Sequence, residues 1–309
     1  MKATTHQLAL TTALPLTLHP AAVYLAGLGS GSVGTMRQAL NAIAAILSEG
    51  RCDAYTLDWA ALRYQHTAAL RVALVQKYAP ATANKMRSAL RGVLREASRL
   101  GLMSGEDFAR AADIKCIKSA PALRGRALDK SEVAALMKAC TDDPTPAGAR
   151  DAAAIAILRG GLRRSEVVAL DVKDFDPDTG ALSIRQGKGA KDRTAYLPKS
   201  AKAAVNDWLR VRGLEPGGAL LCPATEGTIV IRRLTTEAIV RLLRKRQKAA
   251  GIEPFSPHDF RRTFISDLLD KGADIVTVQK LAGHQNTATT AKYDRRGEKA
   301  LRRAVDLLE

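Results

Sequence analysis

The spacing of apolar residues predicts that the first part of the chain is helical. Apolar positions fall at helical spacing in 36–47, and a second such segment covers 57–74. A third stretch follows Pro80, with Thr82 as its predicted N-cap and Gly101 as its end. These three segments predict a small helical domain.

The extreme N-terminal region has a different composition. Residues 3–36 contain no Asp, Glu, Lys or Arg, but prolines and a glycine cluster interrupt their apolar run. These interruptions argue against a membrane span, and the region has neither the charged start nor the cleavage site of a secretory signal. We expect a flexible or lightly packed arm.

A change of pattern separates this region from the rest of the chain. Residues 119–128 lack a sustained period and contain Pro121 and Gly125, which is typical of a linker. Asp129 then has the position of a helix N-cap. The predicted organisation is therefore a helical N-terminal domain (1–118), a linker (119–128) and a second domain (129–309).

The second domain mixes helical and strand patterns. Residues 181–185 and 194–197 alternate in the manner of two strands joined by a glycine-bearing hairpin loop. Helical patterns occupy most of the remainder, at 152–158, 165–170, 235–250, 258–270, 275–282 and from 295 to the end. The fold class predicted for the whole chain is mainly α with a small β-sheet, the second domain being α+β.

Charge then narrows the range of partners. The net charge is +17, and residues 1–120 carry fourteen Lys and Arg against seven Asp and Glu. Both parts of the chain are therefore basic, which suits a protein that closes around a polyanion such as double-stranded DNA.

The cysteines indicate neither a disulfide framework nor a metal site. Cys52, Cys116, Cys140 and Cys222 are far apart, with no Cys-x-x-Cys pair. We expect four buried thiols in a reducing cytoplasm, with no metal and no cofactor.

Candidate chemistry is concentrated in the second domain. Cleavage of a phosphodiester without a metal requires fixed cations for the phosphate, a nucleophile, and a proton donor for the departing oxygen. Arg163 enters a helix after a Gly-Gly turn, Lys188 lies between two glycines of the hairpin loop, and His258 and Arg261 share one face of a helix start. His284 follows a glycine, and Tyr293 comes nine residues later.

Most of these residues have a simpler interpretation when each is considered alone. Arg163 could pair with a neighbouring carboxylate, and Lys188 could be a solvated loop residue. His284 could be a helix C-cap, and Tyr293 could serve packing. Only the His-x-x-Arg pair is informative by itself.

The order and spacing of the whole set resemble the tyrosine recombinase (phage integrase) family, and most closely its Xer-like bacterial branch. The carrying motifs are Gly-Leu-Arg-x-Ser-Glu, then Gly-Lys-Gly 25 residues after the arginine, Ser-Pro-His-x-x-Arg, Leu-x-Gly-His, and the tyrosine. They span about 129–300, and the helical first domain is similar to the family's core-binding domain. One departure is Arg262, which stands where the family often has a second histidine.

The resemblance implies a role for each residue. Tyr293 attacks the phosphate, Arg163 and Arg261 hold its non-bridging oxygens, and Lys188 protonates the leaving 5′-oxygen. His258 assists proton transfer from the tyrosine, and His284 helps to hold the phosphate. The implied reaction passes through a 3′-phosphotyrosyl bond and a Holliday junction, without ATP or metal.

The resemblance also implies partners. Four protomers act on two DNA sites in the bacterial cytoplasm, and the C-terminal helix docks on a neighbouring protomer rather than on its own domain. The predicted DNA-contacting residues are Arg37, Lys85, Arg87, Arg91, Arg241 and Arg244. A solvated basic face is the alternative for those of the first domain.

Two other functions share these residues. A DNA-relaxing topoisomerase would use the same chemistry with one protomer, and a regulator would bind DNA without cleaving it. The compact size and the tail helix favour the recombinase, and no catalytic side chain of the motif set is missing. The target DNA and the biological task are not encoded in these motifs.

Overall fold

The computed structural model describes residues 8–118, 125–185, 192–213, 218–225, 227–294 and 305–306. The chain divides into two compact units, Met1–Ala122 and Leu123–Glu309. The predicted domain boundaries of 1–118, 119–128 and 129–309 stay a prediction. The predicted linker is described only at 125–128, where Leu128 is buried in the core of the second unit.

The first unit is helical over the residues described. Its helices are α1 (Pro20–Ala26), α2 (Ser30–Leu47), α3 (Tyr64–Lys77), α4 (Pro80–Arg99) and α5 (Gly105–Ala112). Helix α4 is amphipathic, and its apolar side packs against α1 and α2. The core includes Leu40, Ile43, Leu90 and Leu94.

Two expectations for this unit need correction, and one of its helices was not expected. Most of the predicted arm is ordered, because α1 packs on α4 and the Tyr24 ring fills the space where Gly92 has no side chain. The N-cap of α4 is Ala79 rather than Thr82, since Pro80 is already the first helical residue. Helix α5, with Ser104 as its N-cap, was not predicted.

The second unit combines helices with two short hairpins. Its helices are α6 (Lys130–Thr141), α7 (Pro146–Arg159), α8 (Arg164–Ala169), α9 (Lys199–Arg212), α10 (Thr236–Ala250), α11 (Pro257–Asp270), α12 (Ile275–Ala282) and α13 (Thr287–Ala291). Strands β1 (Ala181–Ile184) and β2 (Arg193–Tyr196) pair antiparallel, as do β3 (Ala224–Thr225) and β4 (Thr228–Ile229). The predicted mainly α class with a small β content is confirmed, and so is the Asp129 cap of α6.

Helix α7 is the centre of the second unit. Every residue from 151 to 158 is buried, as expected for a helix that other elements surround on all sides. It packs on α6, α9 and α11, and it ends at the Gly160-Gly161 turn that leads to Arg163. The predicted catalytic arginine is therefore attached to the best-packed helix of the unit.

The cysteines were expected to be buried thiols, and one of the four is not. Cys52, Cys140 and Cys222 are buried free thiols, but Cys116 is exposed. Among the described residues, no helix is both long enough and apolar enough to cross a membrane.

A buried ion cluster joins α6, α7 and α10. Arg246 donates from Nε to Asp151 Oδ2 at 2.7 Å and from Nη2 to Asp143 Oδ2 at 2.6 Å. Arg150 Nη2 contacts the other oxygen of Asp151 at 2.6 Å. Because Asp151 and Arg246 are almost fully buried, each depends on the other for charge compensation.

We expect Asp151→Asn to lower the free energy of unfolding of the second unit by about 3–5 kcal/mol, since it removes the buried carboxylate that Arg246 and Arg150 share and leaves Asp143 as the remaining partner of Arg246. The matched control is Asp142→Asn, which removes an exposed ion pair with Lys138 and should cost less than about 1 kcal/mol. Urea unfolding followed through Trp208, in a Trp59→Phe background, measures both. Equal losses of unfolding free energy in the two variants would contradict a stabilising role for the buried carboxylate of Asp151.

Candidate active site

The Gly160-Gly161 turn places Arg163 at the N-cap of α8. Gly161 has a φ of 82°, and an added Cβ would lie 2.5 Å from the ring of Phe264. Glycine is therefore required there for conformation and for space. The backbone of the turn also serves the site, because Gly161 O accepts a hydrogen bond from Arg261 Nη1 at 2.7 Å.

Arg163 makes contacts to two elements. Its Nη1 donates to Glu166 Oε1 at 2.6 Å, and its backbone N–H donates to Glu166 Oε2 at 2.7 Å. Its Nη2 donates to Gly283 O at 2.8 Å. The salt bridge considered as an alternative therefore exists, and it orients the arginine within the site.

Arg261 is held in a similar way, from the buried side of α11. Its side chain is 1% exposed, and it donates to Gly161 O and to Ala282 O. The carbonyls of Ala282 and Gly283 lie at the C-terminal end of α12, where helix carbonyls lack helical partners and attract cations. The end of one helix thus fixes both arginines.

Glu166 also binds a third arginine that the sequence reasoning missed. Arg193, the first residue of β2, donates from Nη2 to Glu166 Oε2 at 2.8 Å. A signal existed, because Ala195 and Leu197 face the core and a strand alternates its faces. Arg193 lies on the same face, so it points inward. Its Nε and Nη1 atoms are buried and have no hydrogen-bond partner among the residues that the structure describes.

Gly283 is the point where these contacts meet. Its φ of 62° ends α12 in the left-handed region. A Cβ there would lie 2.3 Å from Arg193 Nε. Any side chain would therefore displace Arg193 and disturb the carbonyl that binds Arg163.

The cluster carries more positive than negative charge. Arg163 and Arg193 both form ion pairs with Glu166, and Arg261 is close enough to feel the charge of that carboxylate. Burial lowers the pKa of Arg261 to about 10, and the nearby guanidiniums of Arg163 and Arg193 add to the effect. An anion bound here would therefore be strongly stabilised.

Tyr293 lies beside this cluster with its hydroxyl at a histidine. His258, on the first turn of α11, places Nε2 3.0 Å from Tyr293 Oη. The tyrosine is half-buried, its backbone N–H donates to Thr290 O at 2.9 Å, and its ring packs against the small apolar cluster of α11 and α12. The distance is suitable for proton transfer.

His284 lies against the tyrosine ring. The two rings are stacked, with centroids 6.0 Å apart and planes 19° apart. His284 Nδ1 lies 2.9 Å from Oγ1 of Thr290, which is fully buried. If Thr290 donates to Nδ1, the ring proton of neutral His284 is on Nε2.

Both histidines are held in the neutral form. Burial lowers the pKa of His284 to about 4, and Arg261 and Arg163 contribute. Burial also lowers the pKa of His258 below its ordinary 6.5, with Arg261 and Arg262 contributing. At neutral pH, His258 can therefore accept a proton.

The structure thus brings together Arg163, His258, Arg261, His284 and Tyr293. Lys188, which the sequence places in the predicted hairpin loop, lies outside the described residues. The near end of that hairpin is fixed, because Arg185 Nη2 contacts Asp171 Oδ2 at 2.8 Å and Asp174 Oδ2 at 2.6 Å.

The predicted DNA-contacting residues differ in exposure. Arg37 on α2 and Lys85 on α4 are exposed, as are Arg241 and Arg244 on α10. Arg87 is partly buried and donates to Ile114 O at 2.5 Å. Arg91 is partly buried too, with its Nε inside the protein.

The sequence of this chain is similar to those of known tyrosine recombinases. A family model described as the phage integrase family matches residues 126–299. Tyrosine recombinase XerD of Ralstonia nicotianae is 34% identical over 228 residues, covering 72% of this chain and 71% of the relative. Tyrosine recombinase XerC of Vibrio cholerae serotype O1 is 33% identical over 172 residues, covering 54% of this chain. The match spans only 52% of that XerC, about half its length.

Solved structures share the fold. A lambda integrase dimer bound to a COC′ core site superimposes with a TM-score of 0.67 at 19% identity, covering 92% of this chain and 95% of that one. XerH bound to a palindromic difH substrate gives 0.62 at 21% identity, covering 86% and 75%. Because the family model spans more than half of the sequence and includes each of the five clustered residues, this chain belongs to the phage integrase family.

Proposed function

We propose that the protein is a tyrosine site-specific recombinase that cleaves and rejoins double-stranded DNA in the cytoplasm. The observation that carries the proposal is the placement of Tyr293 Oη 3.0 Å from His258 Nε2, beside a cationic cluster with one carboxylate. A nucleophile, a neutral base and an anion site are thereby adjacent.

The scissile phosphate would occupy the cationic cluster. Each guanidinium has five N–H donors, and Arg261 gives two of its contacts to Gly161 O and Ala282 O. The remaining donors of Arg163 and Arg261 can bind the non-bridging oxygens. His284 can add a donor from Nε2, since Thr290 occupies its Nδ1.

The chemical step is a displacement at phosphorus. Tyr293 Oη forms the new bond to phosphorus while its proton passes to neutral His258. The bond to the 5′-oxygen breaks, and Lys188 protonates that oxygen, in the role that the family resemblance gives it. The product is a 3′-phosphotyrosyl link and a free 5′-hydroxyl. Because the covalent link conserves the bond energy, rejoining requires no ATP, and arginines provide the positive charge that a metal would provide elsewhere.

Strand exchange requires more than one protomer. A 5′-hydroxyl from a second duplex reverses the cleavage step, and two such exchanges form and resolve a Holliday junction. We propose a homotetramer on two DNA sites. In support, a structurally similar lambda integrase was solved as a tetramer bound to a Holliday junction.

The proposed assembly uses an apolar groove of the second unit. The groove is about 770 Å³ and is lined by Val133, Met137, Phe264 and Leu268 among others, with Lys130, Arg159 and Lys271 also on its walls. Its proposed occupant is the C-terminal segment of a neighbouring protomer, which is apolar at 300, 301, 304, 305 and 308. In support, Val305 is 63% exposed on its own chain.

We expect the wild-type protein to form a covalent adduct with a nicked suicide DNA that carries its cognate site, and Tyr293→Phe to form none. The site is first mapped by footprinting, and the adduct is detected as a protein–DNA band that survives denaturation. Tyr196→Phe is the matched control, because Tyr196 is exposed on β2 and should retain the adduct.

The outcomes also separate the alternatives. No adduct from wild-type protein on its own footprinted site would exclude the enzyme and leave a DNA-binding regulator. Exchange between two paired sites supports a recombinase. Relaxation of a supercoiled plasmid without exchange would instead indicate a topoisomerase.

The rate of cleavage is expected to fall as pH drops below about 6.5. His258 must be neutral to accept the proton, and burial with the nearby guanidiniums lowers its pKa below the ordinary 6.5, so its protonation, and with it the loss of rate, lies on the acid side of that value. The acid limb of the pH–rate profile is measured by single-turnover cleavage at subsaturating DNA, where the rate reports the pKa values of the free enzyme. His258→Gln should lose the limb and slow cleavage by on the order of 10²–10⁴-fold. An unchanged rate for that variant would remove His258 from the mechanism.

DNA binding should depend on the exposed face of α10. We expect Arg241→Gln and Arg244→Gln each to reduce the slope of log K against log salt by about 1, if each neutralises one phosphate. Arg210→Gln is the control, since this exposed α9 arginine pairs with Asp207 and is not a predicted contact. Anisotropy titrations at several salt concentrations provide the slopes, and equal slopes for all variants would place the DNA elsewhere.

A further inference from the structure

Arg262 follows the catalytic arginine in the sequence, and the proposed chemistry assigns it no role. Its side chain is almost entirely buried, at 6% exposure. The guanidinium carbon lies 5.2 Å from the centroid of the Tyr293 ring, within the range of a cation–π contact. The arginine therefore touches the predicted nucleophile itself.

The position of Arg262 on α11 explains this contact. It is four residues after His258, so the two side chains lie on one face of the helix, and both reach Tyr293: the histidine at the hydroxyl, the arginine over the ring. His284 stacks on the same ring. The phenol is thus held by three groups, two of which come from one helix.

Arg262 is itself held by a fixed carboxylate. Asp259 Oδ1 lies 3.6 Å from Arg262 Nε, and both side chains are buried. Asp259 Oδ2 accepts from Ser256 N at 2.8 Å, and Oδ1 accepts from Arg126 N at 3.1 Å. Because the helix cap immobilises Asp259, the guanidinium has a defined position.

We propose that Arg262 is a positioning residue for the nucleophile: its guanidinium holds the Tyr293 ring so that the hydroxyl stays at His258, and its charge favours the phenolate that forms during attack. This inference rests on the proposed function. Arginine suits the task because it is planar and always charged. Its attraction to the ring increases as the phenol loses its proton, so part of the contact is made only in the transition state.

Arg262 also acts on the base. The charged groups that influence His258 are Arg261, Arg262 and Arg163, which lower its pKa, and Asp259, which raises it. The Tyr293 ring lies beside it, and His284 is close enough to interact with it electrostatically. Removing the charge of Arg262 therefore raises the pKa of His258, and the acid limb of cleavage moves to higher pH.

The test compares Arg262→Gln and Arg262→Lys with the wild type in single-turnover cleavage of the suicide DNA. We expect Arg262→Gln to slow cleavage by about 10- to 100-fold, the size of a cation–π contact plus a misplaced nucleophile, with its acid limb at higher pH and an unchanged Kd for DNA. Arg262→Lys should keep the wild-type limb and lose less than tenfold. Arg126→Gln is the matched control: its side chain lies near Asp259 but contacts Glu132 and Glu253, and it should cleave as the wild type does.

A second readout requires neither DNA nor activity. In protein labelled with 3-fluorotyrosine, the ¹⁹F resonance that disappears in Tyr293→Phe belongs to the nucleophile. We expect Arg262→Gln to move that resonance towards the position of an exposed tyrosine, and Arg262→Lys and Arg126→Gln to leave it near the wild-type position. If Arg262→Gln does not fold, as judged by Trp208 fluorescence, Arg262→Met replaces it.

The two proposals fail in different ways. No adduct from the wild type would overturn the proposed function, whereas the ¹⁹F shift would still report whether Arg262 holds Tyr293. A slower Arg262→Gln with an unmoved resonance and an unmoved acid limb would show a structural role only, and would overturn the positioning role.

Discussion

The geometry of the site depends on backbone carbonyls that bind arginine side chains. Helix α12 ends at Gly283, and its last carbonyls accept hydrogen bonds from Arg261 and Arg163. These oxygens lack helical partners and lie at the negative end of the helix dipole. A guanidinium both donates hydrogen bonds to them and interacts favourably with the dipole. A buried guanidinium would otherwise be costly. These hydrogen bonds connect α8, α11 and α12: His258 and Arg261 belong to α11, and Arg163 and His284 lie just outside the ends of α8 and α12.

The surplus of charge has a chemical consequence beyond binding an anion. Burial, together with the positive charges of Arg261 and Arg163, disfavours a further positive charge nearby, so the pKa values of His258 and His284 are both lowered from the ordinary 6.5. A neutral histidine can accept a proton at one nitrogen while donating from the other. The feature that attracts a phosphate therefore also prepares the base beside it. Glu166 holds Arg163 and Arg193 in place without cancelling the net positive charge of the cluster.

The sequence allowed prediction of those parts of the protein that depend on local patterns. The His258–Arg261 spacing, the Asp129 cap and the alternation of β1 and β2 follow from helix and strand periods, and the structure contains all three. What escaped prediction depends on contacts between distant residues. Helix α1 is ordered because Tyr24 fits against Gly92, and nothing within 3–36 indicates that contact. Arg193 joins the site through Glu166, although only the inward face of β2 hinted at its direction.

Arg262 is a further cation beside the arginine cluster, yet it hardly changes the net positive charge of that cluster. Arg163 and Arg193 form ion pairs with Glu166, whereas Arg262 has Asp259 beside it on the same helix. That pair is nearly neutral as a unit, so the surplus available to a phosphate is almost unchanged. The guanidinium nevertheless remains charged where it meets the Tyr293 ring. A histidine with its ordinary pKa near 6.5 is mostly neutral at pH 7, whereas an arginine stays charged, so arginine provides at neutral pH a positive charge that an unperturbed histidine would lack.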